Sequence, residues 1–306
     1  MPLNQLRDSY QRGEIEKMDY FQKMRQEHAC LAEYAAFIKR SELSSITITS
    51  ECVIFETSEH GIKLECDPSD MGIPPIVALN FGSYESDDGK MLLSLVDDGM
   101  NFFDIGANLG WYGLHAAKLF PNAKVFAFEP VEKTFGYLSR NISHNELSNM
   151  SSFNFGFSNE NTTWTFYVNP AIMGAASGSQ LASSAGEPQN CQVRTLDSFI
   201  DENPMSVDFI KADVEGAELL VIQGGLDTIK SSKPVLFLEM LRKHAKMFNY
   251  HPNDIIELLG GIGYRCYITQ KQKLAQFFSM NEQTVETNFI FLHDEKHKEK
   301  IARFTV

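Results

Sequence analysis

Two short apolar runs, about twenty residues apart, constrain this chain more than any other feature. Phe102-Phe103-Asp104-Ile105 breaks off into Gly106-Ala107-Asn108-Leu109-Gly110, and Val125-Phe126-Ala127-Phe128 breaks off into Glu129-Pro130. Each run is too short for a helix and ends in residues that stop a strand, while the interval between them holds one helix. That is the pattern of two parallel strands joined by a crossover helix. Glycines at the first strand end let backbone approach a ligand closely. An acid at the second end is placed to accept hydrogen bonds from a ribose diol. The two strand ends together predict a nucleotide-like cofactor.

A dinucleotide site reads G-x-G-x-x-G, its second glycine clearing room for a pyrophosphate at a helix N-terminus. Here Asn108 takes that place, and Asp104 lies two residues ahead of the first glycine. A carboxylate there repels pyrophosphate and attracts the ammonium of a methionine moiety, directly or through water or backbone groups. The residues favour S-adenosylmethionine over NAD. An NAD-dependent oxidoreductase is the competing enzyme reading, and a glycine turn in an unrelated α/β protein is the bland one.

The chain has 306 residues, enough for one large core with an appended smaller unit, and its 43% hydrophobic and 11% aromatic content is that of a globular enzyme. Its formal charge of -13 argues against a nucleic-acid partner, which needs a neutralising basic surface. The longest basic run, residues 296–303, is expected as a solvated helix end. Cys30, Cys52, Cys66, Cys191 and Cys266 are scattered without a C-x-x-C pair, so neither a zinc site nor a disulfide framework is implied. The polar N-terminus lacks a signal-peptide core and no apolar run spans a bilayer, so a cytoplasmic location is expected.

Along the chain, residues 1–75 read as an extension, 76–294 as the catalytic domain and 295–306 as a tail. Phe21, Met24, His28, Leu31, Ala35 and Ile38 make a helical stripe. It packs on its own domain or forms a homodimer seam, and Asp19 with Gln22 resembles a capping box starting it. Three short β-branched segments between 45 and 64 predict a small antiparallel meander, and Pro74-Pro75 marks entry to the main domain. Strands are then expected at 101–105, 124–128, 152–157, 207–212, 234–238, 264–269 and 289–292. Helices are expected at 111–119, 134–145, 217–223 and 252–259. Residues 166–188, rich in Ser, Ala and Gly, read as a mobile loop. Alternating strands and helices give an α/β, Rossmann-like, seven-stranded and mostly parallel sheet, the strand count of the common class I methyltransferase fold.

Three stretches together resemble the FkbM family of S-adenosylmethionine-dependent methyltransferases: Phe103 to Gly110, Phe128-Glu129-Pro130, and Ile210-Lys211-Ala212-Asp213-Val214-Glu215-Gly216-Ala217-Glu218. The third is similar to the family's K-x-D-x-E-G-x-E signature. Thr195-Leu196-Asp197 resembles its T-L-D lead-in, and Pro234 to Glu239 its fifth strand ending in glutamate. The resemblance runs from about residue 81 to 292. It implies O-methylation, often of sugars in surface glycans or of natural products, so a small-molecule or glycan acceptor is expected.

Cofactor contacts are expected from Asp104, Gly106, Ala107, Asn108, Gly110 and Glu129, with Phe157 and Ser158 lining the adenine and Glu85 near the methionine end. At the fourth strand end Lys211, Asp213, Glu215 and Glu218 crowd four charges into eight residues, and strand alternation puts Lys211 and Asp213 on one face. An ion pair is the bland reading of Lys211 and Glu218. A sugar hydroxyl must lose its proton as the methyl arrives, which needs a base or a metal. In one scheme His244 or Asp213 is the base and Glu239 and Glu215 orient the sugar. In the other, Asp213, Glu215 and Glu239 hold Mg²⁺. His244 is equally readable as a surface helix residue, and His251 has the weaker claim. A non-catalytic scaffold is the alternative from another class, and the acidic set argues against it.

Overall fold

The computed structural model describes residues 3–169, 172–177 and 186–305. The N-terminal extension comprises helices α1 (Leu3–Gln11) and α2 (Lys17–Ile38) and strands β1 (Leu43–Ile48), β2 (Val53–Thr57) and β3 (Lys63–Glu65). The strands pair in that order as an antiparallel meander. Gly13, at φ +72, separates the helices. Helix α2 starts two residues before Asp19, which pairs with Lys23 at 2.8 Å one turn on instead of capping. None of its residues is fully buried: Ile38 packs on the core at its C-terminal end, while Phe21 and Leu31 are 52% and 56% exposed.

Helices α3 (Pro74–Phe81) and α4 (Ser86–Leu95) lead into the main domain. Pro74-Pro75 opens α3, where a missing N–H costs nothing. Then come β4 (Asn101–Ile105), α5 (Trp111–Leu119), β5 (Lys124–Phe128), α6 (Glu132–His144), β6 (Met150–Phe153) and β7 (Gly156–Phe157). Strands β8 (Thr162–Asn169), β9 (Ile172–Ser177) and β10 (Glu187–Arg194) precede α7 (Leu196–Glu202), β11 (Phe209–Ala212), α8 (Glu218–Gly224), α9 (Leu226–Ser232) and β12 (Val235–Glu239). The chain closes with α10 (Arg242–Ala245), α11 (Pro252–Gly260), β13 (Tyr264–Gln270), β14 (Lys273–Phe277), β15 (Asn288–His293) and α12 (Lys298–Phe304).

The main sheet has eight strands in the order β14-β13-β15-β12-β11-β4-β5-β6. The strands β12, β11, β4, β5 and β6 run parallel, and β15 inserts antiparallel between β12 and β13. Successive side chains feed opposite faces: Phe102, Phe209 and Phe237 enter one core, Phe103, Ile210 and Leu236 the other. The order reverses beside β4, so the turns after β4 and β11 meet at the switch point where such sheets bind ligands.

Three expectations fail in instructive ways. The strand foreseen at 152–157 is two, because the Asn154 side-chain amide donates to the carbonyls of Glu129 and Pro130 and turns the chain away. Strand β7 then joins a second sheet, β7-β10-β8-β9, where a mobile loop was expected; residues 170–171 and 178–185 of that stretch lie outside the described residues. The eighth strand, β14, follows a two-residue turn at Lys271 and Gln272, with φ +50 and +61, and pairs antiparallel with β13. In the basic C-terminal run, Ile301 and Phe304 of α12 pack on the core.

The extension is fastened by amide side chains of α6. Asn141, fully buried, accepts from Glu65 N at 2.7 Å and donates to the carbonyls of Glu65 (3.3 Å) and Leu109 (3.0 Å). Asn145 does the same for Lys63 N and O. The Glu65 carboxylate accepts from Arg140 at 2.8 Å and meets His144 Nε2 at 2.9 Å. Replacing Asn141 strands three buried backbone groups, so Asn141→Leu is expected to lower stability in urea unfolding by about 2–4 kcal/mol. A loss below about 0.5 kcal/mol would mean these bonds hold nothing.

Candidate active site

The turns after β4 and β11 touch backbone to backbone. Gly106 has φ +70, and a Cβ on it would fall 1.9 Å from the Asp213 carbonyl oxygen, so only glycine fits. Lys211 holds the two turns together. Its ammonium donates to the Gly106 carbonyl at 2.9 Å and lies 3.4 Å from Asp104 Oδ1 and 3.7 Å from Asp213 Oδ2. Burial pulls its pKa down, but Asp104 and Asp213 outweigh burial and hold it above the ordinary lysine value. These contacts are the ion pair of the bland reading, and they place the Lys211 ammonium between the two turns.

Asp104 turns beneath the glycine loop, 1% exposed, with Oδ2 accepting from Gly113 N at 3.0 Å. It does not line the cofactor cavity; a carboxylate inside a strand end follows the strand's inward face. Ala107 is buried and donates its N–H to the Phe128 carbonyl, and Gly110 at φ +92 caps α5 against Leu138. Both shape the loop from behind. Ser158 is fully buried below α8, where a Cβ on Gly224 would reach its carbonyl oxygen at 2.0 Å, so it too is absent from the cavity wall.

The cavity itself is lined by Gly106, Asn108, Glu129, Phe157, Trp164 and Phe166, and by Asp213 and Glu215. Glu129 accepts from Asn108 N and Val131 N, each at 3.0 Å, yet burial pushes its pKa up to about 7 against those bonds. Asn108 Oδ1 and Thr134 Oγ1, both buried in this wall, have no hydrogen-bond partner among the described residues. A carboxylate and two orphaned oxygens are a donor-seeking set, and they suit the hydroxyls of a ribose. Trp164 and Phe166 come from β8, which sequence reading had passed over; the alternation in Thr163-Trp164-Thr165-Phe166 was the signal available.

Beside this cavity Glu85, Asp213, Glu215 and Glu239 crowd together. Burial first, then Asp213 and Glu215, keep Glu239 protonated well above the usual carboxylate range. Glu85, ahead of α4, takes the Tyr112 hydroxyl proton as a hydrogen bond, and burial raises its pKa also. Glu215, at φ +55, lies 3.0 Å from His244 Nδ1, close but outside hydrogen-bond alignment. That carboxylate raises the His244 pKa above the ordinary histidine value. Gly216 permits this approach, since a Cβ there would strike the His244 carbonyl oxygen at 2.6 Å. Glu218 clamps the turn, accepting from Val214 N, Gly216 N and the Tyr250 hydroxyl. His251 caps α11, accepting from Asn253 N, and stands apart from the chemistry. Among the described residues no group of three His, Cys, Asp or Glu side chains is arranged to hold a metal ion. No helix among the described residues is long and apolar enough to cross a membrane.

A mostly parallel sheet with an antiparallel β15, a ligand cavity at its switch point and an acid ending β5 define a Rossmann-like class I methyltransferase fold. The Methyltransferase FkbM domain matches residues 104–266, more than half of the chain, and the protein belongs to that family of methyltransferases. A hexuronic acid methyltransferase of Haloferax volcanii is 27% identical over 196 residues, 63% of this chain and 75% of that protein. A 2-O-methyltransferase of Sinorhizobium fredii is 29% identical over 146 residues, and Methyltransferase 1 of Beauveria bassiana 26% over 140. These two matches cover 42% and 40% of this chain, but only 59% and 56% of the relatives' length. The crystal structure of methyltransferase FkbM from Methylobacillus flagellatus aligns with TM-score 0.42 and 18% identity, over 65% of this chain and 45% of that one. Family membership replaces the oxidoreductase reading.

Removing the Lys211 charge leaves Asp104 buried and unpaired. Lys211→Met is expected to cost about 3–5 kcal/mol in urea unfolding, with Asp104→Asn in the same chain restoring part of it. Simple additivity of the two losses would show that the ion pair does not couple the turns.

Proposed function

We propose that the protein transfers a methyl group from S-adenosylmethionine to a hydroxyl oxygen of a sugar or related polyhydroxylated small molecule. The observation that carries this reading is the cavity lined by Glu129, Asn108 and Thr134 opening beside crowded carboxylates. Bound there, S-adenosylmethionine supplies an electrophilic methyl group on a sulfonium. Glu129 accepts from the ribose hydroxyls, Asn108 Oδ1 and Thr134 Oγ1 accept further donors, and Phe157, Trp164 and Phe166 form an apolar slot for a flat ring. The names of the Haloferax and Sinorhizobium relatives support a sugar hydroxyl as acceptor.

The acceptor donates hydroxyl hydrogen bonds to Asp213 and Glu215, which line the methyl end of the cavity. His244, 3.0 Å from Glu215, takes the proton of the reacting hydroxyl as the new bond forms. Lys211 and Gly106 keep Asp213 fixed, and Glu239 supports Asp213 electrostatically.

Two measurements test this. Ribose donors favour ionised Glu129, whose pKa in the free protein is raised to about 7, so binding must release its proton below that pH. Calorimetric affinity for S-adenosylhomocysteine is expected to weaken up to about tenfold per pH unit below 7, a dependence lost in Glu129→Gln. Affinity that ignores pH in the native protein sinks the ribose assignment.

The second concerns the base. His244 works only when neutral, and Glu215 raises its pKa, so the acid limb of kcat/KM should lie above the ordinary histidine value. Glu215→Gln should move that limb to lower pH, and His244→Gln should reduce kcat roughly 10²–10⁴-fold. A limb unmoved in Glu215→Gln assigns the proton to another group.

A further inference from the structure

The meander of the extension and the helices α4 and α5 flank an open cavity of about 270 Å³. That is close to the lower end of the ~300–1,000 Å³ range of small-molecule sites. Its walls are of two kinds. Trp111, Tyr84 and Tyr112 present aromatic rings, with Tyr84 edge-on to Trp111 at 5.5 Å between centroids. Ser58, His60 and Lys90 supply polar groups at its border, beside the Glu42 and Glu59 carboxylates, and Glu59 lies 3.9 Å from the Lys90 ammonium.

His60 is the most telling of these. It sits at φ +67 beside Gly61 at φ +61, in the tight turn joining β2 and β3. Histidine is among the residues that tolerate this left-handed conformation, so the backbone here is compatible with the imidazole. Its Nδ1 is buried and lacks a hydrogen-bond partner among the described residues, and its ring meets His115 edge-on at 5.5 Å. Burial lowers the His115 pKa to about 4, so that neighbour is a neutral aromatic surface at physiological pH.

The cavity shares a wall with the carboxylate cluster. Tyr112 lines it and donates its hydroxyl to Glu85, while the Lys211 ammonium lies 5.8 Å from the centre of the same ring. Tyr84 lines it too and feels the charges of Glu85, Asp213 and Glu239. A ligand filling it would therefore lie one side chain, Tyr112 or Tyr84, away from an acceptor at that cluster. Aromatic faces bordered by hydroxyl, imidazole and ammonium groups match a pyranose ring, whose C–H faces stack on aromatics while its hydroxyls reach the polar groups.

We infer that this cavity is a saccharide subsite that holds the sugar unit adjoining the methylated one, making the preferred acceptor an oligosaccharide. The inference rests on the sugar O-methyltransferase reading above and adds where the neighbouring unit sits. Ser58, His60 and Lys90 hydrogen-bond its hydroxyls, and Trp111 stacks on its ring.

The test uses the full chain with radiolabelled S-adenosylmethionine and matched probes: methyl glucoside against cellobiose, methyl galacturonate glycoside against digalacturonate, and methyl N-acetylglucosaminide against chitobiose. The native protein is expected to show kcat/KM at least about tenfold higher for the disaccharide of the pair it methylates, the worth of one or two net hydrogen bonds. In His60→Ala and Lys90→Ala that advantage should fall below about threefold, with the monosaccharide rate as internal reference. S-adenosylhomocysteine affinity and thermal unfolding show that each variant is folded, and Lys90→Arg should recover part of the preference.

Equal use of both members of a pair, or a preference untouched by the two substitutions, overturns the subsite. Binding of S-adenosylhomocysteine with no methylation of any probe also overturns it. Failure to bind S-adenosylhomocysteine at all instead removes the methyltransferase chemistry on which it rests.

Discussion

The site depends on one buried cation. Lys211 lies beneath the turns after β4 and β11, hydrogen-bonded to one backbone carbonyl and within ion-pair distance of two carboxylates. A buried ion pair is weak evidence of net stability, because desolvating both charges offsets most of their attraction. What it supplies here is position. With the Gly106 carbonyl held from below, the Gly106 Cα can rest against the Asp213 carbonyl, and the two strand ends act as one rigid edge.

The signature around Lys211 then divides into separate physical tasks. Asp213 shares the face of Lys211 by strand alternation and reaches the cavity. Glu215 takes a left-handed backbone conformation that turns it toward His244, and Gly216 lets the turn pass the His244 backbone. Glu218 accepts two of the turn's own N–H groups and the Tyr250 hydroxyl, so it is the fastener of the turn. The T-L-D lead-in is structural in the same sense: Thr195 caps α7, and Asp197 accepts from Asp227 N and Thr228 N at the start of α9.

What could be read from the sequence was whatever local periodicity writes down. Strands β4 and β5 and helix α5 begin and end where the apolar runs predict. The second sheet escaped notice because Ser, Ala and Gly obscure a strand pattern, and Trp164 and Phe166 were hidden with it. Strand β14 escaped because Lys271-Gln272 carries none of the usual hairpin residues. The cofactor loop and Glu129 were legible as a motif, whereas the inward turn of Asp104 and the burial of Ser158 depend on which face each strand end presents. The His244–Glu215 contact joins residues on separate elements, and no spacing rule foretells it.

Asn141 shows a different kind of economy. One side-chain amide reaches both the edge strand of the N-terminal meander and the carbonyl of Leu109 in the glycine loop. The extension is therefore wired to the loop through hydrogen bonds that break together or not at all. These bonds cross the boundary drawn at residue 75. Heat should melt meander and sheet in a single transition, with hydrogen-exchange protection at Glu65 tracking that of the loop.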